Sequence, residues 1–117
     1  MKYMLLIHFD ESWAKRSLAE RQQIYEEQMQ LAQELTTNGN YLGGHPLQPS
    51  SSATTVRVRD GKPFVTDAPF AETRERLGGY MLIDVKDLDE AIVIAARGAV
   101  ADVGSVEVRP VRQGPPT

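Results

Sequence analysis

The chain contains no cysteine, which removes disulfides, thiolate nucleophiles and Cys-ligated zinc together and leaves a fold suited to a reducing compartment. The expected location is the cytoplasm. It also lacks any cluster of Lys or Arg. With 13 basic against 16 acidic residues the net charge is −3, so the electrostatic footprint needed to hold a phosphate backbone is missing and nucleic acid is not an expected partner. Long apolar runs are absent too. The opening MKYMLLIHFDE is interrupted by His8 and meets Asp10-Glu11 with no small-residue cleavage site, so it reads as a strand rather than a targeting or membrane segment.

What is present is the composition of an ordinary globular protein, 41% hydrophobic and 25% charged. A chain of 117 residues can build one core and has no room for a second. The expectation is a single domain over residues 1–112, followed by a flexible tail over 113–117 rich in Gly and Pro.

Periodicity supplies the elements. Tyr3, Leu5, Ile7 and Phe9 share one face of the first strand, while Met4, Leu6, His8 and Asp10 share the other, apolar at its start and polar at its end. Ser17 and Glu20 stand at capping-box spacing before a helix with the stripe Ile24, Leu31 and Leu35, flanked by Tyr25, Met29 and Ala32; Asn38-Gly39 stops it. A second helix is signalled by Asp87 and Glu90, with Leu88, Ala91, Ile92 and Ala95 on one face and an end near Arg97-Gly98. Between them Val56 and Val58 alternate with Arg57 and Arg59 ahead of Asp60-Gly61, a hairpin signal. A last strand, GSVEVRPV, carries a proline that suits a sheet edge.

Strand, helix, strands, strand, helix, strand is the α+β, ferredoxin-like split-βαβ order with an antiparallel sheet and an added hairpin. Two helices shield one face of such a sheet. The other still carries Met4, Leu6, Tyr80 and Leu82, so a homodimer packed sheet to sheet is expected, with clefts where the inner faces become polar.

MKYMLLI, ATTVRVRDGK, TDAPFAETRERLGGYMLIDVKDLDEA and GSVEVRPV together resemble the YCII-related family, in its DGPF-domain branch, over nearly the whole chain. The resemblance implies a dimeric α/β barrel of ferredoxin-like protomers with a pocket near the acidic residue of the DGPF loop. The wider family is thought to use a His-Asp pair there, and genes of this branch often lie beside those for alternative sigma factors. Ala68 stands where the branch name has glycine. A loop that needs a positive φ there would strain alanine by roughly 1 kcal/mol or more; the more economical reading is the extended backbone that the neighbouring Pro69 favours, in which case Ala68 narrows the pocket.

The candidate catalytic residues are Asp67, held in a loop stiffened by Pro69, and His8, because an imidazole can serve as an acid or a base. His45, Arg57, Glu72 and Tyr80 are the candidate substrate contacts, Arg57 because a guanidinium grips anions. Each also has a plainer reading. Asp67 suits an Asx-type turn, His8 a hydrogen-bonded strand position, His45 an ordinary loop, and Arg57 a solvated face. No local histidine spacing supports a metal site, and neither metal nor cofactor is expected. The function these residues point to is a small-molecule acid-base enzyme of isomerase or lyase type, with an unidentified ligand in a pocket near the DAPF loop. The alternative is a non-catalytic ligand- or partner-binding module in a sigma-factor-linked regulatory system.

Overall fold

The computed structural model describes residues 1–70 and 75–115. Strand β1 (Lys2–Phe9) leads through a short 3-10 helix (Glu11–Lys15) into helix α1 (Leu18–Thr37) and strand β2 (Tyr41–Pro46). Strands β3 (Thr55–Arg59) and β4 (Lys62–Thr66) follow, then β5 (Arg76–Asp84), helix α2 (Leu88–Arg97), a 3-10 turn (Ala99–Asp102) and β6 (Gly104–Pro110). The last two residues of the expected tail, Pro116 and Thr117, lie outside the described residues.

The helix boundaries follow from capping. Ser17 accepts from the backbone N–H of Glu20 and Asp87 from that of Glu90, each occupying a donor that the first helical turn leaves free. Asn38 ends α1 and Gly39 follows with φ +81°. Asp10 does the same service for the 3-10 helix, accepting from the Ser12 backbone N–H at 2.8 Å and from its hydroxyl. This element was not foreseen from periodicity, because three to five residues are too few to show one.

β2, β5, β1 and β6 form a four-stranded antiparallel sheet in that order, the ferredoxin-like arrangement. Tyr3, Leu5, Ile7 and Phe9 of β1 and Met81 and Ile83 of β5 point to the helices, where they meet Leu31 and Leu35 of α1 and Ala91 and Ile94 of α2. Leu35 and Ile83 are fully enclosed, and burying each contributes roughly 1.5–3 kcal/mol. The α2 face differs from expectation: Ala91 and Ile94 are buried, whereas Leu88 and Ile92 are about half exposed. Ile92 lies a further 100° round the helix from Ala91, and small Ala91 sets the line of closest approach to the sheet.

Ile7 opposes Gly79 and His8 opposes Leu77, so Gly78 is the extra residue of a β-bulge. A Cβ on Gly78 would stand 2.2 Å from the ring of Phe9, and only glycine fits there.

The hairpin forms as expected, with Asp60 and Gly61 at φ +51° and +76°, the geometry of a type I′ turn. It stays outside the main sheet as a separate two-stranded arm. Val56, Val58 and Phe64 are each more than half exposed, so the alternation read from the sequence marks no face buried within this chain. The arm makes the molecule broad and thin, 47 × 45 × 20 Å, with a radius of gyration of 16.1 Å where a compact domain of this length has about 13 Å. On the face away from the helices Met4, Leu6 and Leu82 are half-buried, sheltered by their neighbours but by no second layer.

Candidate functional site

Strand register sorts the expected site residues by face. His8, His45 and Tyr80 all lie on the open face. His45 opposes Tyr80 with the rings edge to face at 6.1 Å, Tyr80 opposes Leu6, and His8 sits two residues farther along β1. His8 Nε2 lies 3.8 Å from Oε1 of Glu107, which in turn bonds Arg109 on the same strand. Arg57 is on the arm with its guanidinium 5.3 Å from the Phe70 ring centre, a cation–π contact. Asp67 is exposed just beyond β4, where the following Ala68 carbonyl accepts from Thr55 Oγ1; Ala68 has an ordinary negative φ, as its neighbour Pro69 predicts. Among the described residues no hydrogen bond or ion pair joins Asp67 to His8. Glu72 lies outside the described residues. Among those described, no three His, Asp or Glu side chains gather as metal ligands.

The concave space is on the other face, under α1. A cavity of about 800 Å³ lies between α1 and the β2–β5 side of the sheet, walled by Ile24, Met29, Ala32 and Tyr41 and floored by the bare backbone of Gly44 and Gly79. His45 and Tyr80 border it through the main chain, since their rings face the opposite way. Among the described residues no Asp, Glu, Lys or Arg lines it. Gln28 supplies its one deeply placed amide, donating to Met81 Sδ at 3.1 Å while Oε1 is buried without a partner.

A second cavity of about 700 Å³ continues from the first, sharing Phe9, Tyr25, Leu47, Gln48, Pro49 and Gly78. Its walls are the 3-10 helix, the first turns of α1, Ser50-Ser51 and Pro69 of the DAPF loop. Trp13 stacks on Phe9 at 4.0 Å and meets Tyr25 edge-on at 5.7 Å, making one end of the trough aromatic. Among the described residues the charged side chains of the trough are at this end: Arg21, Arg76, Asp10 and Glu11. Hydrogen bonds from the Ser12 hydroxyl, and then from its backbone N–H, hold the Asp10 carboxyl below its ordinary pKa. Asp10 is therefore a fixed anion and a weak base.

The YCII-related domain matches residues 1–114, nearly the whole of this sequence. The chain belongs to the YCII-related family. An uncharacterized protein of Rhizobium meliloti (strain 1021) is 35% identical to this YCII-related protein over 117 residues, 95% of this chain and 92% of the relative. A solved structure, 5-chloro-2-hydroxyhydroquinone dehydrochlorinase of Burkholderia phenoliruptrix AC1100 in complex with 2,5-dihydroxybenzoquinone, is similar over 97% of this chain and 96% of that one. Its TM-score is 0.56 and its identity 14%, a likeness of fold.

For this YCII-related protein, sequence reasoning placed a pocket beside the DAPF loop, and Pro69 does border one. It missed Arg21, Arg76 and Glu11. Arg21 is four residues before Tyr25 and shares its helix face, a signal that periodicity carries; Arg76 is brought in by β5, which no local pattern reveals.

Proposed function

We propose that this YCII-related protein binds a small, largely apolar, ring-bearing molecule in the trough beneath α1 and performs proton-transfer chemistry on it, of isomerase or lyase type. The observation that carries the reading is the trough itself: two joined cavities, aromatic and aliphatic along their length, with ionisable groups at one end. Such a division holds a substrate by its apolar body and presents its reactive end to charge. Glu11, on the wall and free of the capping duty that occupies Asp10, is the group suited to act as base. The structurally similar dehydrochlorinase acts on a hydroxylated ring, which makes hydroxylated aromatics a sensible first library.

The test begins with native mass spectrometry of the protein against that library, followed by proton exchange of bound compounds in D₂O. Ala32→Trp, which fills the cavity, should abolish binding. Glu11→Gln should keep binding and slow exchange by roughly 10²-fold or more. Binding untouched by Ala32→Trp would remove the trough from the reading; binding without any exchange would leave the alternative, a ligand-sensing module.

The exposed arm and the half-buried open face favour a homodimer as the working form, the open face of one copy packed on that of the other. The proton exchange expected between Asp67 and His8 is an alternative to the trough chemistry and needs the arm of one copy against the open face of its partner. Under it Asp67→Asn and His8→Gln chains, each inactive alone, should regain part of the activity when mixed; under the trough reading neither variant loses activity.

A further inference from the structure

The charged end of the trough is more specific than the proposed function requires. Arg21 reaches it from α1 and Arg76 from the start of β5, both half-buried, and among the described residues neither guanidinium has a carboxylate within ion-pair distance. Arg21 Nε is shut off from water and has no hydrogen-bond partner. A guanidinium offers five donors in a planar fork; leaving the enclosed Nε of Arg21 unpaired is unfavourable, whereas a planar oxyanion satisfies such donors in pairs.

The acids on the same walls do not fill that role. Asp10 is turned to the Ser12 backbone and hydroxyl, and Glu11 lies exposed with no ion pair to either arginine. Ser50 and Ser51 add small polar groups at the same end, while Trp13 and Tyr25 present ring faces and edges. From there the trough continues into the larger cavity, whose described lining bears no Asp, Glu, Lys or Arg.

We infer that Arg21 and Arg76 form a carboxylate subsite, and that the ligand class is an amphipathic acid: a planar carboxylate at the arginines with an aromatic or aliphatic body extending under Ile24, Met29 and Ala32. This rests on the trough being the ligand site and goes further by naming the head group. Lysine at either position would not replace arginine, because a point charge lacks the fork that fixes the carboxylate plane.

The experiment is calorimetric titration of the full chain with a matched pair of probes, 2-naphthylacetate and its neutral counterpart 2-(2-naphthyl)ethanol. The acid should bind at least about tenfold more tightly at low salt, the preference shrinking as sodium chloride screens the charges. Arg21→Gln and Arg76→Gln should each erase most of that preference, leaving the affinity for the alcohol and the melting temperature close to those of the native chain, which shows that the variants fold. Equal affinity for the two probes, or a preference that survives Arg21→Gln/Arg76→Gln together, would overturn the carboxylate subsite while leaving the trough in place. If neither probe binds, and Ala32→Trp binds library compounds as the native chain does, the trough reading fails and the subsite with it.

Discussion

Gly78→Ala is the most direct probe of how the sheet shapes the trough. The added methyl would stand 2.2 Å from two carbons of the Phe9 ring, far inside van der Waals contact. Phe9 is itself 7% exposed and stacked on Trp13 at 4.0 Å with an interplanar angle of 17°, so its ring can yield only by pushing the indole away or tilting off it. Overpacking of this kind costs about 1–3 kcal/mol, and disturbing the aromatic pair puts about 0.5–1.5 kcal/mol at risk within that. At about 4 °C per kcal/mol for a chain of this size, the melting temperature should fall by about 4–12 °C. Trp13 is the single tryptophan, so its fluorescence reads the stack without interference and should change in the same variant. Phe9→Leu removes the ring that the methyl strikes. The pair Phe9→Leu/Gly78→Ala should therefore be more stable than the sum of the single costs implies, by about 1 kcal/mol, in urea unfolding. Strict additivity, or a Gly78→Ala protein with native melting and native fluorescence, would refute the steric argument.

Leu82→Asp places a carboxylate on the half-buried open face, next to Met4. Sedimentation should show a native dimer at micromolar concentration and a variant that is monomeric or unfolded, since an unpaired buried charge is strongly unfavourable; a stable native monomer would exclude sheet-to-sheet pairing. Asp10 has its pKa lowered by Ser12, so its contribution to stability is fully present above the ordinary value of 3.8 and is lost as pH falls through the lower folded value. The melting difference between the native chain and Asp10→Asn should accordingly be steady near neutral pH and narrow below about pH 4; a difference that widens in acid would contradict the capping geometry.

The parts of this fold that were legible in the sequence are those fixed by neighbours in the chain. Ser17 and Asp87 cap the helices they were expected to cap, Asp60-Gly61 turns the hairpin, and Tyr3, Leu5, Ile7 and Phe9 face the core as their alternation demands. The site was harder to see because it is made of long-range encounters. Arg76 and Arg21 line the same cavity although more than fifty residues separate them in the chain, and the floor of the larger cavity is glycine backbone, which has no side chain to show in a pattern. His45, read from its Gly-Gly and Pro neighbours as a loop residue, lies in β2 on the same face as His8, and nothing local in the sequence says that the cavities under α1 lie on the other. Asp67 was singled out from a stiff loop. Loop stiffness fixes a backbone, and it does not decide what the side chain meets.

The central position of β1 has a consequence for how the molecule is made. β1 is made well before both strands that flank it: Leu5 waits for Met81 on one side and Val108 on the other. During synthesis an apolar strand with two unsatisfied edges is therefore held open while most of the chain is still being added, a state prone to wrong partners. The two helices and the arm are local structures that can form meanwhile, but the loop that brings the ends together closes late, which slows folding. Nascent chains of this protein should thus depend on chaperone cover of β1 until β6 has been made, and overexpression without it should yield aggregates seeded by β1.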